Sequence, residues 1–215
     1  MEGLTICTWR WGRKYDGHYV ERLKAGLVKH LKQEFKFAVF APEAEDEHLT
    51  KVPGCFCRLR MFDPAWQQKH GITGRIVCID LDVVVTGPLD GLFDRPEKFV
   101  ILQGANASNP CPFNGSLQML RAGSRPDVWN DFTLKRAGEV PFHEFPDDQG
   151  WLAHKIPDAA GWKVGEASGV YAFQKPGWPK GKNDLPKDAR LVVFPGWRDP
   201  SKFTHLDWVK RDWAA

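Results

Sequence analysis

Two aspartates one residue apart, Asp80 and Asp82, end the run Arg75-Ile76-Val77-Cys78-Ile79-Asp80-Leu81-Asp82. Side chains alternate between the faces of a strand, so both carboxylates point to one side and Leu81 to the other. The run before them is too apolar to keep one face in water, which describes a central strand of an α/β sheet covered on both sides. Open α/β sheets bind ligands at the carboxyl ends of such strands. Two like charges held close together are costly unless a cation neutralises them, and an all-oxygen donor set suits Mg²⁺ or Mn²⁺ shared with the phosphates of a substrate. A capped strand end or a turn is the structural alternative, but no basic residue stands near the pair in sequence to balance it.

The elements that must carry this pair follow from periodicity. Leu4-Thr5-Ile6-Cys7-Thr8 is a short apolar run. Val20, Leu23, Leu27, Val28 and Leu31 then recur at helical spacing, and Phe35 to Phe40 restores a strand-like run. Strand, helix, strand is the opening of an α/β sheet with a crossover helix. Beyond the Asp pair, Leu89–Phe93 predicts a helical turn, Phe99–Leu102 and Gly115–Leu120 predict strands, and Asp127–Ala137 a helix. The segment 159–187 reads as surface loop around a short strand at Val170–Phe173. Leu191–Phe194 is the last strand, and Phe203, Leu206, Val209 and Trp213 fit one face of a C-terminal helix. Thirteen of the sixteen prolines stand at residue 88 or later, so loops concentrate in the second half.

Composition bounds the rest. At 215 residues, one domain spanning 1–215 is the expectation. Thirty Lys and Arg against 27 Asp and Glu leave +3 without a block of like charge, so no nucleic-acid footprint is indicated. No apolar stretch approaches the roughly 20 residues that cross a bilayer, and the start Met1-Glu2-Gly3-Leu4 has no signal-peptide pattern, so a cytoplasmic location is expected. At most, the C-terminal helix with Trp208, Lys210, Arg211 and Trp213 would rest on a membrane surface, and packing on the domain is its other explanation. Cys7, Cys55, Cys57, Cys78 and Cys111 are odd in number and scattered, which fits reduced thiols rather than a zinc site. Ten Trp is the unusual count, open to cleft lining, carbohydrate stacking or core filling.

Two enzyme classes use an Asp-x-Asp pair after an apolar strand. In phosphatases of the haloacid dehalogenase type the first Asp is a nucleophile, and Asp80-Leu81-Asp82-Val83-Val84 fits that pattern. Here, however, a strand-helix-strand unit precedes the pair, Phe99–Leu102 does not end in Ser or Thr, and Asp147-Asp148 follows no buried strand. The second resemblance runs over most of the chain. RIVCIDLDVVVTGPLDGLF (75–93) resembles the metal-binding segment of nucleotide-sugar glycosyltransferases of the GT-A fold, in particular the family-8 type of glycogenin and the bacterial lipopolysaccharide galactosyltransferases. CFCRLRMF (55–62) resembles their Arg-Leu segment, PFNGSLQML (112–120) their Phe-Asn-Ser-Gly-Val strand with Gly and Ser exchanged, FPDDQGWL (145–152) their Asp-Gln-x-x-Leu helix start, and LVVFPGW (191–197) their late His-x-x-Gly segment.

The resemblance implies an α/β, GT-A-like domain with a mixed, mostly parallel sheet flanked by helices. Its half 1–95 would bind nucleotide and metal, and its half 96–215 donor sugar and acceptor. It implies a metal-dependent hexosyltransferase acting from a UDP-sugar onto a glycan hydroxyl, with retention. Asp82 would ligate Mn²⁺ or Mg²⁺ directly, with Asp80 bridging to metal or ribose. Asn114 and Asp148 would hold donor-sugar hydroxyls, with Gln149 near the anomeric carbon. Arg58 is a donor-side candidate, as is Gly196 on the phosphate side. Thr8, Trp9, Trp11 and Tyr15 would lie near the base, unless these aromatics merely cap the sheet. The chain departs from the family at Val193, which stands where the third metal ligand is a His. Either two protein side chains suffice with diphosphate and water, or Asp199 or His205 substitutes. Arg198 and Lys202 are the nearest cations to meet a phosphate. Trp151 would sit on the donor-facing helix, Trp197 follows the late Gly of the phosphate-side segment, Trp162 and Trp178 would stack on an acceptor, and Trp66, Trp129, Trp208 and Trp213 look like packing. A non-catalytic carbohydrate-binding module with Trp platforms is a third possibility.

Overall fold

The computed structural model describes residues 3–41, 54–105, 110–142 and 147–214. Pro42, Pro53, and the Phe145 and Pro146 that open the 145–152 motif lie outside the described residues. The first unit is as expected: β1 (Leu4–Trp9), α1 (Gly17–His30) and β2 (Lys36–Phe40), with β1 and β2 parallel. Asp16 caps α1 by accepting the His18 amide, and Leu23 and Leu27, one turn apart, are buried. Val28 is one residue off that stripe and is 64% exposed, so it is no part of the packed face.

A 3₁₀ segment (Gly54–Phe62) and α2 (Pro64–Lys69, capped by Asp63) lead to β3 (Arg75–Ile79). The remaining elements are β4 (Val84–Val85), β5 (Phe99–Gln103), β6 (Phe113–Arg121), α3 (Asp127–Asn130), α4 (Leu134–Ala137), α5 (Asp148–Lys155), β7 (Ala160–Lys163), β8 (Val170–Ala172) and β9 (Leu191–Val193). The main sheet runs β2-β1-β3-β6-β5-β7. β6 is antiparallel to both its neighbours and the other three pairs are parallel. The predicted central strand is found: Ile76 and Cys78 enter the core on one face of β3, and Val77 and Ile79 the core on the other.

Three regions differ from the sequence expectation. The helix predicted over Asp127–Ala137 is two short helices, because Thr133 is extended and caps the second by accepting the Arg136 amide. The segment read as loop from 159 opens with β7, a strand of the main sheet, and Val84–Val85, Val170–Ala172 and Leu191–Val193 form a second sheet of order β4-β9-β8, a pairing that the sequence left open. The C-terminal helix is a 3₁₀ turn (Pro200–Phe203), a single turn α6 (Asp207–Val209) and a π-helical stretch (Lys210–Ala214). It packs on the domain: Trp208, Val209 and Trp213 are buried with Phe173, Trp178 and Phe194 in a core of their own.

That aromatic core centres on Phe173, fully buried between Trp178, Phe194, Phe203 and Trp208 at centroid distances of 4.8–5.7 Å. Phe173→Ala is expected to cost about 3–5 kcal/mol, lowering the melting temperature by roughly 10 °C in calorimetry. An unchanged melting temperature would contradict this packing.

Candidate active site

A cleft of about 420 Å³ opens at the carboxyl end of β3. Its lining brings together Trp9 at the end of β1, Trp11, Lys14 and Tyr15 after it, Arg58 from the 3₁₀ segment, Asp80 and Asp82, Asn114 to Ser116 from β6, Gln149 from α5, and Phe194 to Gly196 after β9. Both aspartates reach the cleft although the strand ends at Ile79, while the Leu81 side chain belongs to the apolar core. The two sequence halves, 1–95 and 96–215, therefore both contribute walls.

Beneath the cleft lies a buried ionic network. Arg58 Nη1 donates to Asp80 Oδ1 at 2.5 Å and to the Gly115 carbonyl at 2.9 Å, and Nη2 donates to Asp148 Oδ1 at 2.7 Å. Gln118, fully buried between Leu117 and Met119 on β6, donates to Asp148 Oδ2 at 3.2 Å. Burial acts against the Arg58 charge, but Asp148 and Asp80 outweigh it and hold the guanidinium charged. The network explains Gly115, whose position the resembled motif gives to Ser: a Cβ there would fall 2.4 Å from Arg58 Nη2.

Asp82 has a different environment. Tyr15 donates to its Oδ2 at 2.5 Å, Lys14 donates to the Tyr15 hydroxyl, and the Lys14 ammonium stands 3.7 Å from Asp82 Oδ2. Burial and the neighbouring charge of Asp80 push the Asp82 carboxyl up to about 7, against the smaller opposing pull of Tyr15 and Lys14. The Tyr15 phenol is also raised, by burial and then by the Asp82 charge.

Other sequence-predicted residues fall as follows. The Asn114 Oδ1 accepts the Ser116 amide, so its amide nitrogen is available at the cleft. Gln149 is fixed at both ends: Oε1 accepts from the Gly115 amide and Nε2 donates to Asp147. Gly196 lines the cleft in the left-handed region, at φ 74°. Two of the expected residues are not brought to the cleft. Thr8 is fully buried and Asp148 is 1% exposed, and neither lines the cleft, because Thr8 lies within β1 and Asp148 is turned down onto Arg58 and Gln118. Trp9 borders the cleft but is stacked on Trp66 at 5.7 Å within the core. Among the described residues no third His, Cys, Asp or Glu joins the Asp pair. Asp199 accepts from Tyr19 and Ser201, and His205 lies by Phe203.

The tryptophans also divide differently from expectation. Trp151 is buried and donates to the Val128 carbonyl, Trp162 is buried and donates to the Leu92 carbonyl, and the Trp178 ring packs against Phe173 and Trp208. The exposed one is Trp197, at 66%. Sequence reasoning passed over Lys14, whose signal was adjacency to Tyr15, and Gln118, whose signal was a polar residue between Leu117 and Met119. No disulfide links the five cysteines.

No protein-family model and no curated protein matches the chain in sequence. Solved structures do match in fold. Glycosyltransferase GlyE of Streptococcus pneumoniae TIGR4 superposes with a TM-score of 0.64 at 12% identity over 98% of this chain, which spans 63% of that protein's length. A glycosyltransferase involved in glycosylation of the major capsid of PBCV-1 gives 0.57 at 16% identity over 94% of this chain and 98% of its own. Galactosyltransferase LgtC, solved in complex with donor and acceptor sugar analogs, gives 0.56 at 11% identity over 97% and 96%. The chain has the GT-A-like α/β fold of these proteins. No helix among the described residues is long and apolar enough to cross a membrane.

Removing the Arg58 side chain leaves Asp80 and Asp148 facing each other without a cation. Arg58→Met is expected to destabilise by about 3–5 kcal/mol, measured by denaturant unfolding. Gly115→Ala should cost about 1–3 kcal/mol by pushing the guanidinium off the same contacts. A Gly115→Ala protein as stable as the wild type would show that the network is not close-packed.

Proposed function

We propose that the chain is a metal-dependent glycosyltransferase that moves a hexose from a UDP-sugar to a glycan hydroxyl, with retention of configuration. The observation that carries this reading is the placement of Asp80 and Asp82 together in a cleft at the carboxyl end of the central strand. The donor chemistry fits a hard divalent ion: two carboxylates, one of them buried with its carboxyl pushed up to about 7 in the absence of a full counter-charge. Asp82 would ligate Mn²⁺ or Mg²⁺, with Asp80 as second ligand or ribose contact. When bound, the ion would supply positive charge against the departing diphosphate as the sugar–oxygen bond breaks.

The chain's own residues would do the rest. Arg58 acts as a positioning residue, since its terminal nitrogens are engaged with Asp80, Asp148 and the Gly115 carbonyl. Asp148 supports the donor side through Arg58 and Gln118 rather than by touching the sugar. Asn114 presents its amide nitrogen to a donor hydroxyl, and Gln149, immobilised by Gly115 and Asp147, flanks the reacting carbon. Trp11 and Tyr15 border the nucleotide end, and Gly196 admits the diphosphate without a side chain in the way. A phosphatase would need Asp80 free as a nucleophile, whereas here it is paired to Arg58 at 2.5 Å. The chain's proposed place of action is the cytoplasm.

Thermal unfolding with Mn²⁺ and UDP tests this directly. Ligand at about 100 times its dissociation constant adds about 2.7 kcal/mol, a rise of roughly 5–10 °C. Asp82→Asn is expected to abolish both that rise and metal-dependent UDP-sugar hydrolysis. Hydrolysis of a generic phosphate ester with no response to UDP would replace the transferase with a phosphatase, and glycan binding without turnover would replace it with a binding module.

A further inference from the structure

The exposed face beside the cleft has no role in the donor chemistry just described. Immediately after the cleft-lining Pro195-Gly196, Trp197 is 66% exposed. The Arg198 guanidinium stands 5.1 Å and the Lys202 ammonium 5.6 Å from its ring centre, and Lys202 Nζ donates to the Trp197 carbonyl at 2.8 Å. Arg198 Nε reaches Gln174 Oε1 at 3.4 Å, and Gln174 begins the wall of a separate cavity of about 770 Å³. That cavity is lined wholly by residues 174–183, which include Lys175, Lys180 and Lys182 and no Asp or Glu. Among the described residues none of these five cations is in an ion pair. Trp197 and its two cations therefore follow the cleft lining directly in the chain and touch the cavity wall through Gln174, and the residues lining that cavity carry lysines but no acidic side chain.

We infer that this track is the acceptor subsite, and that the acceptor is a glycan carrying negative charge. The apolar faces of pyranose rings stack on indole, and guanidinium and ammonium groups pair with carboxylate or phosphate substituents, Arg in a bidentate fork. Calling the ligand an acceptor rests on the transferase reading. A membrane surface fits less well: the other exposed large apolar residues, Val28, Val39 and Leu134, lie on separate elements, and one indole buries too little area to anchor the chain.

The probes are hexagalacturonate, maltohexaose as its neutral counterpart of equal length, and inorganic phosphate, titrated calorimetrically into the full chain. Hexagalacturonate should bind at least about tenfold more tightly than maltohexaose, as charge-assisted contacts predict. Trp197→Ala and the pair Arg198→Gln with Lys202→Gln should each weaken it about tenfold. Lys180→Gln with Lys182→Gln should weaken the hexamer as well, and Trp197→Phe should restore part of what Trp197→Ala loses. Equal affinity for the two hexamers, or unchanged affinity in the Trp197 and Arg198/Lys202 variants, would overturn the proposal. So would competition by inorganic phosphate at the concentration of hexagalacturonate, or Trp197-dependent sedimentation with phosphatidylglycerol vesicles. The response to Mn²⁺ and UDP is measured on the same proteins. Its loss in Arg198→Gln/Lys202→Gln would assign those cations to the donor diphosphate and overturn the proposal. Its absence already in the wild type would remove the transferase reading, while the titrations still decide whether the track binds charged glycans.

Discussion

The buried Arg58 guanidinium is the constraint around which the cleft is built. It ties the end of β3 through Asp80, the start of β6 through the Gly115 carbonyl, and the first turn of α5 through Asp148. With those elements come four of the residues that face the cleft: Asp80, Asp82, Asn114 and Gln149. A buried ion pair is weak evidence for stability in itself, because desolvation offsets most of the attraction. Its value here is geometric, since three backbones converge on one planar fork and cannot slide relative to one another without stranding a charge. The missing Cβ at Gly115 is the steric condition for that convergence.

The network also separates the two aspartates into different electrostatic roles. Asp80 receives its counter-charge from Arg58, from within the protein. Asp82 receives only a phenol and a largely exposed ammonium, and burial together with the charge of Asp80 raises its carboxyl to about 7. Two residues that look equivalent in an Asp-x-Asp run are therefore not equivalent, and the difference comes from Arg58, 22 positions upstream of Asp80.

Much of this frame was legible from local pattern. The apolar run of β3 and the period-two placement of Asp80 and Asp82 needed only adjacent residues, as did the crossover unit from Leu4 to Phe40. The parts that were not legible depend on long-range contacts. Nothing near Asp148 in sequence indicates that it turns inward, because its partners Arg58 and Gln118 are 90 and 30 positions away. Thr133 broke a helix that periodicity alone would have continued, since capping competes with propagation through one side-chain oxygen. The second sheet was illegible because strands of two or three residues carry too little alternation to choose a partner.

The tryptophans show the same limit in reverse. Each of Trp9, Trp151, Trp162 and Trp178 stood at a place where a ligand was expected, and each is used as packing. Large aromatic rings gain most when buried, so an indole near a cleft enters the core unless neighbouring backbone holds it out. At Trp197 the backbone does so: Gly196 turns the chain in the left-handed region, Asp199 caps the following 3₁₀ turn, and Lys202 grips the Trp197 carbonyl. An exposed indole fixed by three local interactions, beside cations without acidic partners, is an arrangement that core packing would not produce.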